Sequence, residues 1–255
     1  MDPVVETLMR RSLAPHQRAK TGKPVNILEY IAFIVRGRVS SNPTCVCPVL
    51  SKIAVQFNCK FSHPSAPVLA DNLLRLAGSK GTPAHAAARA YVLTDCLVRE
   101  YLPRLLAHPT FAQLPATEEL ARTIAALPEI AGPADLPGVA AVFSAVRISK
   151  RVDNLSRRTL RALTHLKEGA LAEAVYAAVD VIDTAELLVH MSGLGPPGSG
   201  ICLQYHQPWT GVPFDVAGLF ERLLAIGDVQ PIPTTPAIDA RLQKLSGRGR
   251  RPTFS

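Results

Sequence analysis

Aromatic side chains are scarce in this 255-residue sequence, in which Phe, Trp and Tyr make up 5% of the residues. Sheets depend on aromatic and β-branched side chains, so this scarcity disfavours a β-rich fold. The period-2 alternation of strands is absent, and no internal repeat recurs. Hydrophobic residues nevertheless make up 47% of the chain, enough for a sizeable core. The sequence therefore predicts an all-α globular domain of several helices.

Signals for export and for membrane insertion are also missing. The N-terminal residues are acidic first and contain no apolar stretch typical of a secretory signal peptide. The longest uncharged run, 187–214, is interrupted by Gly, Pro, Gln and His, so it does not fit a bilayer span. Five cysteines, an odd number, do not indicate a disulfide framework. We expect a cytoplasmic protein with free thiols and no transmembrane segment.

Positive charge is concentrated near the two ends of the sequence, although the net charge of +8 belongs to the whole chain. Residues 1–23 contain five Lys/Arg against two acidic residues, and residues 237–255 contain five against one. Basic segments of this kind bind nucleic acid weakly or favour solubility. We predict flexible basic segments at 1–24 and 237–255.

Between these segments, a Pro/Gly-rich joint at 127–138 predicts two helical subdomains, 25–127 and 138–236. Apolar spacing predicts a helix that begins at Pro48, and Thr82 followed by Pro83 predicts the start of a long central helix. Asp95 and Arg99 are four residues apart on that helix and are expected to pair. Two further helical stretches are predicted at 138–167 and 169–192.

A basic stripe is predicted on residues 147–167, where seven Lys/Arg stand against one acidic residue, Asp153. Drawn as one helix at about 100° per residue, the stripe lies within about 60° of Arg147. Its members are Arg147, Lys150, Arg151, Asn154, Arg158 and Arg161. Apolar residues fall on the opposite side, which predicts a two-faced rod about 20 Å long.

Aligned guanidinium groups bind phosphate oxygens well, and no aromatic residues interleave with them for base stacking. The stripe therefore favours a non-enzymatic interaction module that binds a polyanion, the nucleic-acid backbone before others, or an acidic protein partner. An anionic lipid surface is an alternative partner. A further alternative is that the cations pair internally with the acidic helix that follows. A structural subunit of a larger assembly is a third type of function.

Three cysteines and a histidine crowd the stretch 43–63, which raises the alternative of an enzyme or a metal-binding protein. Cys45, Cys47, Cys59 and His63 could together supply the four N/S ligands of a zinc ion, although their spacing is unusual. Cys47 precedes Pro48 at a predicted helix start, where the helix dipole lowers a thiol pKa, so it is the candidate catalytic residue. The favoured interpretation is that Cys45 and Cys47 are small buried residues.

A glycine-rich loop at 193–213 superficially resembles a phosphate-binding loop. Gly195 and Gly200 have the right separation, but Ile201 and Cys202 stand where such a loop needs Lys and Ser/Thr. The loop is therefore not interpreted as a nucleotide site.

Overall fold

The computed structural model describes residues 27–58, 72–193, 215–233 and 235–247. These residues form helices and no strand, which confirms the predicted all-α fold. The helices are α1 (Ile27–Arg36), α2 (Pro48–Asn58), α3 (Leu73–Ala77), α4 (Pro83–Asp95), α5 (Leu102–Leu106), α6 (Pro109–Ala112), α7 (Thr117–Ala125), α8 (Leu136–Ala145), α9 (Lys150–Lys167), α10 (Leu171–Gly193), α11 (Val216–Ala225) and α12 (Pro236–Gly247). A π-helical segment, Cys96–Tyr101, joins α4 to α5.

The chain divides into two compact units, and one of them is discontinuous in sequence. That unit combines residues up to 81 with residues from 227 onward, while residues 82–226 form the other. The Pro/Gly-rich joint at 127–138 lies inside the 82–226 unit, so the division of the chain differs from the one expected from the sequence. Asp95, the last residue of α4, accepts a hydrogen bond from the Ile130 backbone N–H at 2.9 Å, which anchors this joint to α4.

In the discontinuous unit, hydrogen bonds of the Ser79 side chain join the start of α2 to the end of α3. The Cys47 N–H donates to Ser79 Oγ at 3.1 Å, and the Ser79 hydroxyl donates to the Leu76 carbonyl in the last turn of α3. The segment after residue 229 packs equally closely, because a Cβ added to Gly78 would lie 2.8 Å from the Gln230 carbonyl oxygen. Gly78 therefore permits a backbone approach that any other residue would block.

The centre of the 82–226 unit is the continuous helical run formed by α4, the π-helical segment and α5. It begins as predicted, because Thr82 Oγ1 accepts from the His85 N–H at 3.2 Å and Pro83 occupies the first helical position. Leu93, Leu97 and Tyr101 are fully buried along this run. The run packs against α9, α10 and α11, so its apolar surface is covered on several sides.

The predicted continuous helix over 138–167 is wrong, because α8 ends at Ala145 and α9 begins at Lys150. Val146 turns to an extended conformation with φ −63° and ψ 124°. Ser149 then caps α9, since its Oγ accepts from the Val152 N–H at 3.3 Å. Asp153 Oδ1 accepts from the Ile148 N–H at 3.0 Å. These side chains satisfy backbone donors that a new helix leaves without partners, and so stabilise the break.

A tight turn joins α9 to α10, which pack against each other as a helical hairpin. Gly169 lies in the left-handed region with φ +73°, and its N–H donates to the Leu166 carbonyl at 3.2 Å. The Ala170 N–H donates to the His165 carbonyl at 2.9 Å. This pair of bonds is the Schellman motif, which closes the C-terminal end of α9 and reverses the chain.

None of the helices in the described ranges combines the length and the apolar character that a bilayer span requires.

Candidate polyanion-binding face

Helix α9 has one buried side and one exposed side. Its buried residues are Val152, Leu155, Ser156, Thr159, Ala162, Leu163 and Leu166, which pack toward α4, α8 and α10. Measured from Lys150 at about 100° per residue, Arg157 and Arg161 lie within about 20° and Asn154 at about 40°. We call Lys150, Asn154, Arg157 and Arg161 the basic face; it is centred opposite the buried side.

Three cations of the basic face have no acidic partner among the residues that the structure describes. In the described ranges, no carboxylate lies within ion-pair distance of Lys150, Arg157 or Arg161, and all three are exposed. Asn154 is half-buried between them. The nearest acidic residue in sequence, Asp153, uses its Oδ1 to accept the Ile148 N–H. The basic face therefore carries a local excess of positive charge at the protein surface.

Three residues of the predicted stripe, Arg147, Arg151 and Arg158, do not belong to this face. Arg147 precedes α9, and its Nη1 donates to the Ser144 carbonyl at 3.0 Å, so it is not part of the helix at all. Arg158 pairs with Asp180 of α10, and its Nε is buried without a hydrogen-bond partner among the described residues. The internal pairing foreseen as an alternative thus applies to Arg158. Arg151 is exposed at the margin of the basic face.

Arg157 is a member of the basic face that sequence reasoning missed. The predicted stripe contains residues within about 60° of Arg147. At roughly 100° per residue, Arg157 lies about 80° from Arg147 and therefore falls outside it. Because Arg147 lies outside α9, it is not a valid reference for the angular positions of residues around that helix. The sequence did contain the signal, since Ser149 followed by Asp153 is typical of a helix start.

In the described part of the cysteine stretch, residues 43–58, neither thiol is fully exposed as a reactive cysteine would be. Cys47 is fully buried and Cys45 half-buried, and burial raises the pKa of the Cys45 thiol. Cys59 and His63 lie outside the described residues, so the structure does not test the predicted zinc site of four ligands. Within the described ranges, no three His, Cys, Asp or Glu side chains are grouped to hold a metal ion.

Slow alkylation of Cys47 and Cys96 is the expected result for folded protein. Cys96 is also buried, and burial chiefly raises its pKa to about 12. A Cys59→Ser/Cys202→Ser variant leaves Cys45, Cys47 and Cys96 as the only thiols. With iodoacetamide at neutral pH, we expect Cys47 and Cys96 to react at least about a hundredfold more slowly than in urea, because access requires local opening. A fast reaction at Cys47, located by mass spectrometry, would favour the catalytic-thiol alternative.

Comparisons of the chain with protein-family models, with curated proteins and with solved structures find no match. The geometry of the chain is therefore the basis for assigning a function.

Proposed function

We propose that the protein is a non-enzymatic interaction module that binds a polyanion, in the first place the phosphate backbone of nucleic acid, through the basic face of α9. The observation that carries this proposal is the alignment of Lys150, Arg157 and Arg161 on one exposed side, without carboxylate partners in the described ranges. Uncompensated, aligned cations are attracted to closely spaced phosphates.

The dimensions of the basic face fit a backbone contact. Lys150 and Arg161 are separated by about 16 Å along the helix axis, at about 1.5 Å per residue. A duplex carries one charge per about 1.7 Å of its axis, so phosphates are available along this whole length. The Asn154 amide can donate a further hydrogen bond to a phosphate oxygen.

The side-chain composition of α9 gives no support for base stacking. No aromatic side chain other than His165 occurs between 150 and 167, which removes a stacking platform. Binding should therefore depend on charge and salt and little on sequence.

A Lys150→Gln/Arg157→Gln/Arg161→Gln variant should weaken binding to a mixed-sequence duplex by at least about tenfold. The slope of log K against log salt should fall by about 2 to 3, since each phosphate contact contributes about 0.9. Fluorescence anisotropy with a labelled duplex between about 50 and 200 mM NaCl measures both quantities.

The matched control is Lys52→Gln/Lys80→Gln/Arg122→Gln, which removes the same three charges from exposed positions elsewhere. This variant should change the salt slope by less than about 1, because only net charge is altered. Equal losses in the two variants, or no binding by the wild type at low salt, would disprove the proposal. Tighter binding to polyglutamate than to the duplex would replace nucleic acid with an acidic protein partner.

A further inference from the structure

A polar pocket of about 250 Å³ opens where α1 ends, in the discontinuous unit. It is lined by Ala32, Arg36, Arg38, Val39, Ser40, Asn42 and Pro43. Two arginines and two neutral polar residues thus meet in one concavity, and none of the described residues that line it is acidic. A pocket of this composition is suited to an anion.

The two arginines are available to a ligand. Arg36 donates from Nη2 to the Thr44 hydroxyl, which orients its guanidinium across the loop. Arg38 is exposed and makes no hydrogen bond or ion pair with the residues that the structure describes. In the same part of the chain, no carboxylate pairs with either residue. Two guanidinium groups with donors to spare can grip one phosphate group.

A third arginine removes an electrostatic obstacle. The C-terminal end of a helix carries partial negative charge, which would repel an anion held beside Arg36. Arg241 of α12 donates from Nη1 to the Ile34 and Val35 carbonyls, at 2.8 and 2.9 Å. Its Nε also lies 3.3 Å from the position that a Cβ on Gly37 would occupy. Gly37 stands between Arg36 and Arg38 in the sequence. The guanidinium of Arg241 therefore offsets the partial negative charge at the end of α1.

The remaining lining residues provide hydrogen bonds and an apolar wall. Ser40 Oγ accepts from the Asn42 N–H at 3.3 Å, which leaves the hydroxyl hydrogen free to donate to a ligand. The side-chain amide of Asn42, an exposed residue, supplies another donor. Ala32, Val39 and Pro43 form the apolar part of the lining.

We propose that this pocket binds a phosphate group carried by a small molecule, with Arg36 and Arg38 as its ligands. The volume corresponds to roughly eight water molecules at about 30 Å³ each, which accommodates a phosphate with a short organic substituent. Ser40 and Asn42 complete the anion contacts, and the apolar wall accepts the substituent. The site is separate from the basic face of α9 in residues and in ligand.

Isothermal titration calorimetry of the full chain with glycerol 3-phosphate, inorganic phosphate and glycerol tests this site. Glycerol 3-phosphate should bind saturably with one-to-one stoichiometry, and glycerol should not bind. Arg36→Gln/Arg38→Gln should weaken binding at least about tenfold, because charge-assisted hydrogen bonds are lost. Lys52→Gln/Lys80→Gln, which removes two exposed charges of the same unit, should leave the affinity within about twofold.

The outcomes separate the sources of the phosphate. Tighter binding of glycerol 3-phosphate than of inorganic phosphate assigns the site to a phosphate ester, and equal binding assigns it to free phosphate. No saturable binding of either, or binding unchanged in Arg36→Gln/Arg38→Gln, would overturn the site. Should that double variant not fold, Arg38→Gln alone decides, since Arg38 has no hydrogen bond or ion pair to lose in the described ranges. The variant Lys150→Gln/Arg157→Gln/Arg161→Gln should retain this binding. The pocket and the basic face are therefore tested separately, and failure of one proposal leaves the other standing.

Discussion

Replacement of Arg89 by methionine is expected to lower the free energy of unfolding of the 82–226 unit by about 3 kcal/mol. Arg89 is fully buried in α4. Its Nε donates to the Leu223 carbonyl at 3.0 Å and its Nη2 to the Ile226 carbonyl at 2.7 Å. Those carbonyls end α11, so the guanidinium both satisfies them and offsets the negative end of the helix. Methionine fills much of the space but donates no hydrogen bond, which leaves two carbonyls without these donors.

Urea unfolding followed by far-UV circular dichroism measures this loss, provided that the m-value is unchanged. Arg122→Met is the matched control in the same unit, because Arg122 is exposed and its nearest carboxylate, on Glu118, lies 3.9 Å away. The control should change stability by less than about 0.5 kcal/mol. A stability for Arg89→Met within that same margin would show that the α11 carbonyls do not depend on the guanidinium.

Asp95→Ala should destabilise the same unit by about 2 to 3 kcal/mol. The Asp95 carboxylate is almost entirely buried and accepts from Arg99 Nε and Nη2 at 2.6 and 2.7 Å. Its Oδ1 also accepts the Ile130 N–H, and Ile130 itself is buried. Alanine removes all three bonds and leaves the Ile130 N–H without its acceptor. Arg99 is partly exposed and can turn to water, so the larger part of the cost should arise at Ile130.

Asp95→Asn separates these contributions, because an amide oxygen still accepts from Ile130 while the charge pair with Arg99 is lost. We expect it to cost about 1 kcal/mol, clearly less than alanine. The control is Glu118→Ala, a carboxylate with 90% of its side chain exposed, whose removal should be nearly neutral. A loss below about 1 kcal/mol for Asp95→Ala would contradict the anchoring role of this residue.

Helix starts encoded by adjacent residues were predictable from the sequence. Pro48 begins α2, and Thr82 with Pro83 begins α4, as expected. The Asp95–Arg99 pair also forms as predicted. In each example, the groups that interact lie within four residues of one another, so the sequence alone brings them into contact.

Features that depend on distant residues were not predictable. Arg89 contacts carbonyls 134 and 137 residues away, and nothing near Arg89 in sequence indicates these partners. The anchoring of Ile130 by Asp95, 35 residues apart, turned an expected subdomain joint into an ordered loop of one unit. The pocket of Arg36 and Arg38 is formed by a short segment, but it was not predictable either, because it depends on how the loop after α1 folds back toward Thr44.

The basic face was predicted in part. Lys150 and Arg161 lie on it as expected, but the break at 146–149 excluded Arg147, and α10 neutralised Arg158. No Gly or Pro marks the break, so helical periodicity continued through it without a visible interruption. Whether a cation stays exposed depends on the helix packed beside it. A helical wheel of one helix carries no information about that neighbour.

The discontinuity of one unit has a consequence for synthesis on the ribosome. Translation adds about 5–20 residues per second, so the 145 residues from 82 to 226 take about 7 to 30 seconds to make. During that interval α1, α2 and α3 exist without the segment that supplies Gln230, Ile232 and Arg241. Nascent chains should therefore recruit chaperones at this stage, and translation that stops before residue 227 should yield a product in which these three helices are degraded first.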